Sequence, residues 1–476
     1  MPSIFCTLLF SRYFMAYMNE LIIVDLDYLA DSSIWFEHFL NETLPCFLDS
    51  CGSEYSASHT RYDIISANPW AVVAVDNNGQ VNVTNHLTGE SSDHSSQSPF
   101  ECLSGLLEQM TPVAKHALPF TGGAMGFWGY ELASVLEPGR IARREMETPL
   151  MSVGLYHWAL ITDHEQQSTQ IVFHPDCPEQ EREKILALID RQPVARSSAF
   201  KITRGFTPSI SKTEYEEAFN RIQDYILAGD CYEVNLTQEF IAHYQGNSWP
   251  AYKQLRKVSP APYSAYLSHP DFEILSHSPE RFIKVSDHHV ETHPIKGTRP
   301  RGATEQEDRQ YARELLECEK DRAENLMIVD LLRNDLGKIC KTGSIKVPRL
   351  FALESYANVH HLVSTVTGEL AEDHHALDVL FHAFPGGSIT GAPKIRSMEI
   401  IHELEASARN IYCGSIGYIS TDGQMDTSIT IRSLIARNNQ LRCWGGGAIV
   451  ADSDCEQEYQ ESVTKVKNLM QGLESM

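Results

Sequence analysis

The run FEILSHSPERFIKV (residues 272–285), the polar SDHH after it and VETHPIKG (290–297) decide the fold class. Two β-rich runs around a short polar turn predict an antiparallel hairpin. A turn centred on Asp287 and His288 places Glu280 opposite Lys296 at the far end of the ladder, with Cβ atoms about 5 Å apart. The chain continues as PIKGTRPRG (294–302), where Pro294 and Pro300 fix φ while Gly297 and Gly302 admit positive values. Arg299 and Arg301 follow Lys296 closely, and repulsion among the three cations predicts a lowered lysine pKa. Arginine stays charged, so Lys296 is the member able to act as a neutral amine nucleophile. A solvated basic surface loop is the other reading of these residues.

HSPERF followed by PIKGTRPRG resembles the chorismate-utilising enzymes, the family of anthranilate, isochorismate, salicylate and aminodeoxychorismate synthases. The likeness is dense from residue 211 to the end and thinner before it. It implies an α+β fold, two lobes of antiparallel β-sheet with helices packed on the outer faces; pattern alone gives only mixed α and β. Anthranilate synthases carry alanine at the position of Lys296, and a lysine there is similar to the branch that aminates chorismate at C4. On that resemblance Lys296 is the nucleophile at ring carbon C2, and Glu280 protonates the departing C4 hydroxyl. Ammonia then adds at C4, giving 4-amino-4-deoxychorismate for 4-aminobenzoate and folate synthesis. Anthranilate synthase component I is the alternative within the family. From another class, a nucleotide-binding module could be built on the glycine-rich GGSITGAPK (386–394), although this is not a GxxxxGK[ST] loop.

The 476 residues allow two domains or one large one. A hydrophobic fraction of 42% and a charged fraction of 21% are those of a soluble globular protein, here expected to be cytoplasmic. The formal net charge of -24 argues against nucleic acid or an anionic membrane as partner, and no run is long enough to span a bilayer. Eleven scattered cysteines without CxxC spacing read as reduced thiols. The start IFCTLLF lacks a basic flank and a clear cleavage site, so residues 1–18 read as a mis-assigned start or an extension.

Residues 19–200 form a strand-rich N-terminal region and 201–476 the catalytic region, divided by the breaker-rich stretch 191–211. AVVAVDNNGQVNVT (71–84) reads as a hairpin with an Asn-Gly turn, and GESSDHSSQSP (89–99) as a polar loop. Family members hold a tryptophan-sized pocket between the lobes. The matching residues are Ser50, His59, Thr60, Arg61 and Tyr62, with Pro262, Tyr263 and Ser264, and L-tryptophan is the implied ligand. A polar loop meeting a turn is the plainer reading.

In the second region, Ser211 and Glu214 predict a capping box and Gly229 a helix end. The strand YEVNLTQEFIAHY (232–244) sets Gln238 on an otherwise apolar face. By resemblance this position separates water-adding members, which carry a lysine base, from amine-adding members with glutamine. Residues 304–339 predict two helices, with Leu326, Val329, Leu332 and Leu336 on one stripe. The resemblance makes Glu324 and Glu461 ligands of one Mg²⁺, although Glu458, Glu461 and Lys465 also read as a surface salt-bridge ladder. It implies substrate contacts at Gln238, Thr298, His361, Gly387, Thr390, Gly391, Tyr412, Arg432, Gly446 and Lys465. A helix start after the glycine-rich turn suits an anion, here the ring carboxylate. The ammonia is expected from a separate glutamine amidotransferase subunit.

Overall fold

The computed structural model describes residues 20–52, 61–191, 199–356 and 359–476. The proposed start at 1–18, His59 and Thr60 lie outside them. The central hairpin forms in the expected register: Arg281–Ser286 pairs with His289–Thr292, with Ser286 opposite His289 and Lys284 opposite Glu291. Its turn residues Asp287 and His288 have φ of 55° and 57°, the left-handed pair a type I′ turn requires. Past Thr292 the ladder ends. Ile295–Pro300 leaves the hairpin and pairs instead with Val359–Glu369, so Glu280 and Lys296 are not cross-strand partners.

Two antiparallel sheets carry the fold, and each draws strands from both halves of the chain. In the first, Ile22–Leu26, Ser168–Phe173, Trp158–Asp163, Tyr62–Ser66 and Cys46–Asp49 precede Tyr263–Ser268, Glu273–Ser278, Ser433–Arg437, Gln440–Ile449, Glu233–Gln245 and Lys201–Pro208. In the second, Ile295–Pro300, Val359–Glu369 and the central hairpin continue through Met425–Ile429 and Ser415–Ser420 to Gly123–Trp128, Met151–Tyr156, Ala71–Val75 and two further N-terminal strands. The boundary near residue 200 therefore divides the sequence but not the sheets.

One apolar core fills the space between the sheets, where Ile64, Ile274 and Val234 of the first join Val73, Met125 and Ile283 of the second. A second core lies on the outer face of the first sheet, built by Phe47, Tyr266, Trp249 and Leu469. Helix Lys212–Ala228 starts on the expected capping box, Ser211 with Glu214, and stops at Gly229 with φ of 81°. Residues 304–339 form two helices, Glu305–Glu317 and Glu319–Leu336. Val329, Leu332 and Leu336 are buried, but Leu326 is 46% exposed: Asn325 and Ile328 turn inward instead. The polar stretch 89–99 is not all loop, since Glu90–Asp93 adds an edge strand beside Val81–Asn85. Among the described residues no helix is long and apolar enough to cross a membrane.

Candidate active site

Lys296 sits one residue before Gly297, whose φ is 88°; a Cβ there would lie 2.9 Å from Asp321 Cγ and Leu315 Cδ1. This kink turns Lys296 inward, leaving it only 9% exposed, and its Nζ donates to Glu233 Oε1 at 2.8 Å. Burial alone pulls the ammonium's pKa down, but Glu233, Glu324 and Glu280 outweigh it and hold Lys296 above its ordinary value. The expected arginine repulsion is thus overturned. Arg299 pairs with Asp321 at 3.0 Å and Arg301 with Asp308 at 2.7 Å, so helical carboxylates neutralise both.

Glu280 stands just before the hairpin, 4% exposed, and accepts from Ser388 Oγ at 2.9 Å. Burial pushes its carboxyl up to about 7, and Ser388 and Lys296 offset only part of that cost. Lys296 and Glu280 thus meet as electrostatic neighbours, and the hydrogen-bond partner of Lys296 is Glu233, which the sequence did not single out. Glu233 is fully buried, with Oε1 on Lys296 and Oε2 without a hydrogen-bond partner among the described residues. Gln238, five residues along the strand, points into the helix Cys455–Glu474, where its amide donates to Ser462 Oγ at 2.7 Å. That partner satisfies the amide nitrogen of a glutamine on an apolar face, while its Oε1 has no hydrogen-bond partner among the described residues.

Ser388 belongs to the 3₁₀ turn Gly387–Ile389, whose carbonyls are taken up from behind. Thr390 Oγ1 donates to the carbonyls of Gly386 and Gly387, Arg409 to that of Ile389, and the Asn235 amide to that of Thr390. N–H groups at the start of such a turn lack helical carbonyls behind them and are of the kind that can donate to an anion. Gly391, with φ of 136°, lies so close to Glu233 that a Cβ would be 2.1 Å from its carbonyl. Gly446 is also tight, a Cβ there lying 2.5 Å from Thr237 Cγ2, and accepts from Lys465 Nζ through its carbonyl at 2.8 Å. The helix after the turn starts at Lys394, with Pro393 as its N-cap.

Thr298 and His361 are ladder partners, and their Oγ1 and Nδ1 are 2.9 Å apart. Burial, with Arg432 nearby, pushes His361 down to about 3, so the imidazole is neutral. Arg432 does not continue a strand; it sits between Met425–Ile429 and Ser433–Arg437 with φ of 52°. Tyr412 is 5% exposed and stacks on Trp444 with centroids 6.3 Å apart.

Glu324 and Glu461 come from the helices Glu319–Leu336 and Cys455–Glu474. Lys320 bridges these helices, 3.1 Å from Glu458 and 3.9 Å from Glu324. The expected ladder is only partly formed: Glu461 pairs with Lys465 at 2.7 Å, while Glu458 turns to Lys320. A Cβ on Gly447 would lie 3.0 Å from Glu458 Oε2 and 3.4 Å from Glu461 Oε1, so both carboxylates face the same strand. Burial pushes Glu324 up to about 7, with Lys296 and Lys320 offsetting only part of that cost. Among the described residues no group of three or more metal-ligating side chains forms; Glu324 and Glu461 offer carboxylate oxygens, the donor type that Mg²⁺ takes when water and substrate complete its shell.

A cavity of about 400 Å³ opens between the two sheets, lined by Arg61, Tyr62, Pro262, Tyr263, Ser264 and Arg281. Ser50 does not line it; its hydroxyl donates to Asp63 at 2.6 Å.

The model of the chorismate binding enzyme family matches residues 56–471. The chain is 45% identical over 421 residues to aminodeoxychorismate synthase component 1 of Salmonella typhimurium, covering 88% of this chain and 90% of that protein. It is 36% identical over 397 residues to anthranilate synthase component 1 of Aquifex aeolicus, covering 79% of each. Among solved structures, anthranilate synthase component I from Streptococcus pneumoniae superposes with a TM-score of 0.77 at 31% identity, over 86% of this chain and 92% of that one. With the family model spanning most of its length, the chain belongs to the chorismate binding enzymes.

Proposed function

We propose that this protein is the synthetase component of an aminodeoxychorismate synthase, converting chorismate and ammonia to 4-amino-4-deoxychorismate. One observation carries the reading: a buried lysine, Lys296, is ion-paired to Glu233 beside Glu280, a carboxyl held at about 7. Before it can attack C2, Lys296 must give up a proton, and Glu233 lies at hydrogen-bond distance to take it. Glu280 is half protonated near neutral pH and donates to the C4 hydroxyl as it leaves as water. The 3₁₀-turn amides, Arg432, Tyr412 and Lys465 supply donors for the substrate's carboxylates, and neutral His361 with Thr298 adds hydrogen bonds without charge. Mg²⁺ held by Glu324 and Glu461 would offset the charge of a substrate carboxylate in a protein of net charge -24. Ammonia would come from a separate glutamine amidotransferase subunit; the name "component 1" of the relatives supports a partner subunit. The cavity between the sheets would take L-tryptophan or a similar aromatic amino acid.

The test is to incubate the chain with chorismate, Mg²⁺ and ammonium and to identify the product by mass and fluorescence. 4-Amino-4-deoxychorismate is expected from ammonium, and almost none from glutamine. Anthranilate as the main product would establish the other aminating branch. Stabilisation by ATP but not by chorismate would point to the nucleotide-binding module.

A further inference from the structure

Buried polar oxygens without partners are rare, and each calls for a donor. The strand Glu233–Gln245 has two of them close together at its start. Glu233 Oε2 and Asn235 Oδ1 have no hydrogen-bond partner among the described residues, although Glu233 is 0% and Asn235 6% exposed. Side chains two apart on a strand share a face and are spaced by about 7 Å, so the two oxygens can close on one small group from either side. Both are acceptors. A ligand that satisfies them must only donate, and beside a carboxylate it should be cationic.

The neighbouring charges narrow the choice. Lys296 occupies the other oxygen of Glu233, and Glu324 and Glu280 stand close enough to stabilise the charge of the lysine. Across the backbone of this strand, Arg409 is committed to Glu405 and to the carbonyls of Asn235 and Ile389. Thr390 closes the other side, its carbonyl accepting from the Asn235 amide.

We propose that Glu233 Oε2 and Asn235 Oδ1 form the seat of the nitrogen substrate, which binds as ammonium beside Lys296. This rests on the amination reading above and adds where the nitrogen waits. The protons balance as follows. Lys296 passes one proton to Glu233 and forms the bond to C2, while the C4 hydroxyl leaves as water with the proton of Glu280. The proton on Glu233 then moves to Glu280, restoring the acid and leaving Glu233 anionic for ammonium. Ammonium gives one proton to Glu233, and its nitrogen bonds to C4 as the bond from C2 to the lysine nitrogen breaks. The released pair returns to Lys296, which recovers the proton from Glu233. Overall, an alcohol and ammonium become an alkylammonium and water.

Steady-state kinetics with ammonium chloride test the seat in full-length protein. Glu233→Gln should raise the KM for ammonium at least tenfold while the KM for chorismate changes less than threefold. Potassium, a cation of similar size, should compete with ammonium in the wild type and lose that competition in the variant. If Glu233→Gln is poorly folded, Asn235→Ala, which leaves the ion pair intact, should raise the ammonium KM severalfold. An ammonium KM within threefold of wild type in a folded variant, with only kcat reduced, would show that Glu233 serves Lys296 alone and overturns the seat. A wild type that fails to aminate chorismate overturns the amination reading, and the seat with it.

Discussion

Lys296→Ala should cost stability as well as chemistry, and the structure sets the size. The lysine is 9% exposed and its partner Glu233 is 0% exposed, so the substitution leaves a carboxylate buried with neither oxygen paired. Removing one member of a buried ion pair costs about 3–5 kcal/mol. Unfolding entropy of ~2.1 cal/mol/K per residue amounts to ~1 kcal/mol/K for 476 residues, so about 4 kcal/mol lowers Tm by ~4 °C. The Pro and Gly residues that shape the turn remain, hence the turn itself should persist. Differential scanning fluorimetry at neutral pH measures the loss, and a double-mutant cycle assigns it. Lys296→Ala/Glu233→Gln removes the stranded charge and should recover most of the Tm. A single variant as stable as wild type, or a double variant no better than the single, would refute the ion pair as the source of the effect.

Three further outcomes follow from the site. Glu280 acts as an acid, so kcat/KM should fall as pH rises through about 7; Ser388→Ala removes the hydroxyl that favours the ionised form and should move that fall to higher pH in a pH–rate profile. Glu324 is protonated below about 7 and then competes with the metal, so MgCl₂ should raise Tm more at about pH 8 than at about pH 6, and Glu461→Gln should abolish the Mg²⁺ response and the activity while leaving the fold intact. Gly297→Ala forces a side chain onto Asp321 and Leu315 at a positive φ, and should destabilise the protein by on the order of 1–3 kcal/mol, read by urea denaturation.

The hairpin turn, the capped helix at 212–228, the paired helices of 304–339 and the glycine-rich turn were all legible, because each is governed by local pattern. The interleaving of the two sheets was not. Strands such as Cys46–Asp49 and Tyr263–Ser268 pair although they lie far apart in the sequence, and alternation along a strand carries no record of its neighbour. Glu233 escaped for the same reason. It follows a polar turn at the start of a strand, where an exposed glutamate is ordinary, and its partner lies 63 residues away. Gln238 drew attention instead, as the one amide on an apolar face, and its partner proved to be Ser462 in the last helix. The charge state of Lys296 escapes local reading because Glu233 and Glu324, which hold its proton, and Asp308 and Asp321, which pair with the arginines, come from elements that such reading cannot orient.

The central claim is that Lys296 is the nucleophile, and intact-protein mass spectrometry tests it most directly. The wild-type protein is mixed with chorismate and Mg²⁺ with ammonia withheld, quenched and digested. A substrate-derived adduct that maps to Lys296, and that disappears on adding ammonium, is the predicted result. An adduct undiminished in Lys296→Ala, or located on another residue, would contradict it.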